Sequence, residues 1–148
     1  MKLSTRARYG TRAMIDLAMS YGKGLVLLKD IARRQQISGR YLEQIMIKLI
    51  SSGFVQSVRG SRGGFILAKP PKDIILSDLI QALEGSIAPV PCVDNLKFCK
   101  LSKVCVTKDI WELMKKAMVD VLEKITLEDM VKMQKEKMTT QESPQYFI

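Results

Sequence analysis

Residues 37–67, ISGRYLEQIMIKLISSGFVQSVRGSRGGFIL, decide the fold. Ser38 is placed to cap a helix, because its hydroxyl can accept from the N–H groups of the first turn. Leu42, Ile45, Met46, Leu49 and Ile50 follow at the three-and-four spacing of an amphipathic helix. Gly53 supplies the left-handed residue that ends it. Residues 54–58 and 65–68 read as strands, and they bracket Arg59-Gly-Ser-Arg-Gly-Gly64, a basic, glycine-rich tip. A helix followed by such a hairpin is the shape of a winged helix-turn-helix, in which the helix can enter a major groove and the wing can lie along an adjacent groove or phosphate rail.

The residues upstream complete the motif. Residues 29–35 read as a short helix with Ile31 and Ala32 inward and Arg33 and Arg34 outward, and 36–38 as the turn. The first of two such helices braces and the second reads. On the polar side of the second lie Arg40, Tyr41, Gln44 and Lys48. Arg40, Tyr41 and Gln44 are expected at base edges, since arginine suits guanine and glutamine suits adenine. Lys48, Arg33, Arg34, Arg59 and Arg62 are expected at the DNA backbone. Glu43 is unusual here: it repels phosphate or accepts from a cytosine amine. Residues 5–21 form a first helix with Tyr9, Ala13, Met14, Leu17, Ala18 and Tyr21 as its apolar stripe and Arg6, Arg8 and Arg12 at its start. Gly22 and Gly24 break it, and residues 25–28 are a strand or extended link.

Charge divides the chain in two. Residues 1–69 hold 13 lysines and arginines against Asp16, Asp30 and Glu43, whereas residues 70–148 hold 11 lysines against 12 acids. All eight arginines lie at or before Arg62. A basic half beside a neutral half is the footprint of a nucleic-acid-binding head on a non-binding body. No apolar run approaches a membrane span and the N-terminus has no signal-peptide core, so the expected location is cytoplasmic, with no membrane partner.

Beyond the wing, residues 69–72 (Lys-Pro-Pro-Lys) are a rigid connector. Residues 75–85 are a helix capped by Ser77, packed by Leu79, Ile80 and Leu83 and closed by Gly85. Pro89 and Pro91 then forbid a regular helix through residues 86–104. A long helix follows from Val106, on which Trp111, Met114, Met118, Val121 and Ile125 recur at three and four, a coiled-coil-like seam read as a homodimer interface. Ile110, Leu113, Ala117 and Leu122 widen it. Thr126 and Asp129 resemble a capping box for a final helix from Leu127 to about Lys137. The division expected is 1–85 winged head, 86–105 cysteine loop, 106–137 dimerisation and final helices, and 138–148 disordered tail. The fold class is therefore mainly α with a small β-wing.

All three cysteines, Cys92, Cys99 and Cys105, fall within that loop as Cys-x6-Cys-x5-Cys, near Lys97, Lys100, Lys103 and Lys108. In the cytoplasm such cysteines are thiols or ligands rather than a disulfide framework. Neighbouring lysines favour thiolates. Three thiolates leave a four-ligand site incomplete, and the chain has no histidine. The residues alone leave open an iron–sulfur cluster, a thiol redox sensor, zinc or inert cysteines.

The sequence resembles the Rrf family of bacterial regulators, the IscR/NsrR group. The resemblance runs from residue 1 to about residue 133. It is carried by MKLSTRARYGTRAMIDLA at 1–18, DIARRQQISGRYLEQIMIKLISSGFVQSVRGSRGGFILAKP at 30–70, ILSDLIQALEG at 75–85, and the three-cysteine loop followed by Trp111. It implies a homodimeric winged-helix transcription factor, here a repressor, at palindromic double-stranded promoter DNA, with no RNA partner expected. It also implies that Cys92, Cys99 and Cys105 ligate an iron–sulfur cluster, 2Fe-2S ahead of 4Fe-4S, that senses iron–sulfur status, redox state or nitric oxide. Lys108 stands where IscR-like relatives place a histidine ligand, and Arg8 stands in the region where NsrR-like relatives supply an aspartate, so the fourth ligand is unassigned. The alternative is a cluster-free regulator controlled by thiols or by a partner protein. An enzyme is not expected: a cysteine nucleophile needs a general base, and Gly60, Gly63 and Gly64 sit in a hairpin rather than in a phosphate-binding loop before a helix.

Overall fold

A computed structural model describes residues 1–142 of the chain. The order is α1 (Thr5–Met19), α2 (Leu28–Gln35), α3 (Gly39–Ser51), β1 (Val55–Val58), β2 (Gly64–Leu67), α4 (Leu76–Glu84), α5 (Pro91–Asp94), α6 (Val106–Leu122) and α7 (Leu127–Glu142). The fold is mainly α with one two-stranded antiparallel wing.

The head assembles as its apolar spacing requires. Met14 and Leu17 of α1, Ile31 of α2, Leu42, Ile45, Met46 and Leu49 of α3, and Leu79 and Leu83 of α4 meet in one buried core. Each buried aliphatic side chain of this size contributes about 1.5–3 kcal/mol. Ser38 caps α3, its hydroxyl accepting from the Tyr41 N–H at 3.2 Å. Gly53 follows that helix at φ 81°, a conformation that would strain any residue with a Cβ. The α2–α3 turn is made instead by Gln36 at φ 54°, with Ile37 N–H donating back to the Ala32 carbonyl. The wing pairs Val55 with Leu67 through Val58 with Gly64. Val26 joins its outer edge through a reciprocal pair of bonds with Phe65, so the extended link expected over 25–28 is present up to Leu27, and Leu28 already begins α2.

Several sequence expectations change. The first helix stops at Met19, leaving Tyr21 exposed in the following turn. Ser77 does not cap α4: the helix begins one residue earlier, and Ser77 is buried inside it. The entry is fixed by tertiary bonds, Leu76 N–H to the Ile125 carbonyl and Leu127 N–H to the Ile74 carbonyl, both 2.8 Å. The cysteine loop is not wholly irregular, because Pro91 opens the one-turn helix α5 at the position where proline is tolerated. A second turn, Leu96–Phe98, follows.

The C-terminal region also differs. Thr126 and Asp129 do form the reciprocal capping box. The helix it opens, however, runs to Glu142 rather than ending near Lys137, so residues 138–142 are helical and not a disordered tail. The rest of that tail, 143–148, lies outside the described residues. Leu127 and Val131 place α7 in the same core as α1 and α4. Ile125 lies in the α6–α7 turn, packed on that core, and so is not a member of a helical seam.

Candidate nucleic-acid interface and cysteine loop

The structure sorts the arginines of the head, together with Lys48 of α3, into two groups. In the first, each cation is already engaged. Arg34 grips the buried carboxylate of Asp16 at 2.7 and 2.9 Å, with Gln35 adding a third bond at 3.0 Å. That contact raises the Arg34 pKa and braces α1 against α2. Arg33 pairs with Asp30 at 3.6 Å. Arg6 donates to the Leu83 carbonyl at 2.7 Å, tying α1 to α4. Arg8 and Arg12 lie over the Tyr9 ring, and Arg12 also donates to the Gln35 carbonyl.

The second group is free. Among the described residues Arg40, Lys48, Arg59 and Arg62 have no ion-pair partner, and all four are exposed. Arg40 and Lys48 flank Gln44 on the outer face of α3. Arg59 and Arg62 stand on the turn between β1 and β2, where a Cβ on Gly63 would lie 2.1 Å from the Val58 carbonyl oxygen. The turn therefore closes tightly and pushes both arginines outward. Tyr41, expected at a base edge, is half-buried with its ring edge-on to Tyr9, centroids 6.1 Å apart. An open groove runs beside it, lined by Ser4, Arg6, Gln44, Ile47 and Lys48. Ile47 is a residue that the sequence reading passed over. It is 63% exposed while Leu42, Ile45, Met46 and Leu49 are buried, and its displacement from the buried three-and-four stripe was the available signal.

The cysteine loop is clipped to α6 in two places. Cys105 is the residue that precedes its first turn. Further along, Lys115 donates to Asp94 of α5 at 2.6 Å, and Ser86 donates to the same carboxylate. These contacts hold the Asp94 carboxyl below its ordinary range. Cys92 and Cys105 are half-buried and Cys99 is exposed. The Thr107 hydroxyl, 3.1 Å away, and the Lys108 N–H hold the Cys105 thiol below its usual pKa. Lys108 is buried and bonded to Glu112 at 2.6 Å, so its charge is largely committed, although it still feels Cys92. Among the described residues no three of Cys, Asp and Glu stand together as a metal-holding group, and the sequence has no histidine to complete a set with the three cysteines.

The α6 residues expected to form a seam divide by exposure. Trp111, Met114 and Met118 are half-buried, and α4 and α5 pack against this helix. Val106, Ile110, Leu113 and Val121 are exposed, with Leu113 at 62% and Val121 at 59%. With Ala117 they form one stripe, displaced by about 80° from the expected one at 100° per residue.

A family model described as Rrf2, iron-dependent transcriptional regulator, matches residues 3–133. The chain belongs to the Rrf2 family. Among Rrf2-family relatives, protein rrf2 of Nitratidesulfovibrio vulgaris is 42% identical over 132 residues, 89% of this chain and 88% of that one. The solved structure of T. potens IscR superposes with a TM-score of 0.76 at 44% identity, covering 93% of this chain and 90% of that chain. The structure of CymR, described as the global cysteine regulator of B. subtilis, gives a TM-score of 0.73 at 37% identity, covering 89% and 97%. The Rrf2-family assignment makes the chain a transcription regulator and not an enzyme. No helix among the described residues is long and apolar enough to cross a membrane.

Proposed function

We propose that the protein is a homodimeric repressor that binds palindromic promoter DNA, and that thiol chemistry in residues 86–105 sets its affinity. The observation that carries the DNA reading is the unpaired basic surface: Arg40 and Lys48 on α3 beside Arg59 and Arg62 on the wing tip. The other arginines of the head are engaged within the fold. Gln44 and Arg40 contact base edges, and Arg59, Arg62 and Lys48 contact phosphates. Two heads joined through α6 meet half-sites about one helical turn apart.

The thiol reading is favoured by the environment of Cys105. A lowered pKa raises the thiolate fraction and hence reactivity, and this thiol sits where α6 begins. Oxidation or alkylation there alters the first turn of α6, while the Asp94–Lys115 pair couples the rest of the loop to its middle. Both effects change the separation of the two heads.

Selection of duplexes from a random-sequence pool by full-length protein tests the DNA reading. Enrichment of a palindrome that duplex DNA displaces and RNA does not supports it; no enrichment, or equal displacement by RNA, contradicts it. For the loop, iodoacetamide labelling near neutral pH, read by mass spectrometry, should modify Cys105 before Cys99, and Thr107→Ala should slow the labelling. Anaerobically purified protein that is brown and carries stoichiometric iron and sulfide overturns the thiol reading in favour of a cluster. Equal affinity for the selected duplex before and after thiol modification, at fixed salt, overturns control through the loop.

A further inference from the structure

We propose that Ile47 determines specificity by reading the 5-methyl group of a thymine in the major groove. This rests on the DNA-reading role of α3 proposed above. At 100° per residue, Ile47 lies between Glu43 on one side and Gln44 and Ser51 on the other, near the middle of the outer face of α3. It is 63% exposed, the largest exposure of any isoleucine, leucine or methionine on that helix. Nothing in the fold uses it. It belongs neither to the core nor to the partly buried residues packed against the core. A β-branched side chain also gives no helical advantage over the polar residues around it.

The position becomes intelligible against a base-pair edge. Isoleucine cannot hydrogen-bond, so it cannot read the donors and acceptors of guanine, cytosine or adenine. The one apolar group on the floor of the major groove is the thymine methyl. Ile47 is three residues beyond Gln44, about 4.5 Å along the helix axis, close to one base-pair step. Exposed cations flank it, Arg40 before and Lys48 after. Both cations lie on the Gln44 side of Ile47, facing one phosphate rail, while the exposed Glu43 on its other side suits a cytosine amine rather than a phosphate, so Ile47 stands over base edges and not over the backbone. Gln44 and Ile47 together favour an adenine and a thymine at adjacent or near-adjacent base pairs in each half-site.

The test replaces each thymine of a selected duplex, one position at a time, with deoxyuridine. That removes the methyl and leaves every hydrogen-bonding edge intact. Dissociation constants come from fluorescence anisotropy with full-length protein at fixed salt. At one thymine per half-site the wild type should lose about fourfold, the worth of one buried methyl. Ile47→Ala should bind the methylated and unmethylated duplexes alike, and Ile47→Val should keep part of the preference. Because the site is exposed, both variants should melt within a few degrees of wild type, which separates reading from folding. An enriched duplex with no methyl-sensitive thymine overturns this proposal alone, as does Ile47→Ala retaining the preference. Failure to enrich any duplex overturns the DNA-binding reading and this proposal with it.

Discussion

Arg34 and Arg59 are both arginines of the basic head, yet their environments give them different work. Asp16 is 5% exposed and accepts three bonds from the end of α2. Removing Arg34 strands that carboxylate with one remaining donor. A hydrogen bond to a charged group is worth about 1.5–3 kcal/mol, and the partial exposure of Arg34 reduces that. Arg34→Ala should therefore cost about 1–2 kcal/mol in denaturant unfolding, with the salt dependence of DNA binding unchanged. A wild-type midpoint with a reduced salt slope would make Arg34 a phosphate contact instead. Sequence alone could not make this distinction, because Asp16 and Arg34 are 18 residues apart and nothing local announces their pairing. Ser38 and Gly53 were legible because each acts on its own turn.

At the scale of elements, caps internal to one segment could be read, and caps supplied from elsewhere could not. The Thr126–Asp129 box was visible as a spacing. The start of α4 was not, since bonds to the α6–α7 turn replace a side-chain cap there. The box predicts a pH dependence. Asp129 accepts from the Thr126 N–H at 2.9 Å, and this holds its carboxyl below the ordinary range. A carboxyl depressed in the folded state stabilises fully above the unfolded value, about 3.9, and that stabilisation is lost as pH falls through the lower folded value. The difference in unfolding midpoint between wild type and Asp129→Asn should be largest near neutrality and should shrink below about pH 4. A difference that grows on acidification would contradict the assignment. On α6 the obstacle was a different one. Apolar residues wrap more than half its circumference, so periodicity admits several seams, and only the packing of α4 and α5 against one side identifies which stripe is left open. If that stripe joins two copies, Leu113→Glu should shift the protein to monomer in sedimentation velocity, whereas Trp111→Glu should chiefly destabilise the fold. Unchanged sedimentation of Leu113→Glu would place the dimer contact elsewhere.

For the whole molecule, the division of charge between the two halves was the strongest sequence signal, and the wing and α3 give it a location. The cysteine loop was legible as a cluster of thiols but not in its chemistry, since Cys92 and Cys105, thirteen positions apart, can converge or stay separate depending on turns that spacing does not specify. Its two attachments to α6, through Cys105 and through Asp94 with Lys115, make it an extension of α6, the helix that joins the two heads in the proposed dimer. In the proposed complex the free cations Arg59 and Arg62 are the ones that meet DNA. The direct measurement is the affinity of Arg59→Ala/Arg62→Ala for a selected duplex across a range of salt concentrations. Each lost phosphate contact lowers the slope of log K against log salt by about 0.9, so the double variant should bind more weakly and lose about two units of slope per head. Parallel slopes for wild type and variant would contradict the account.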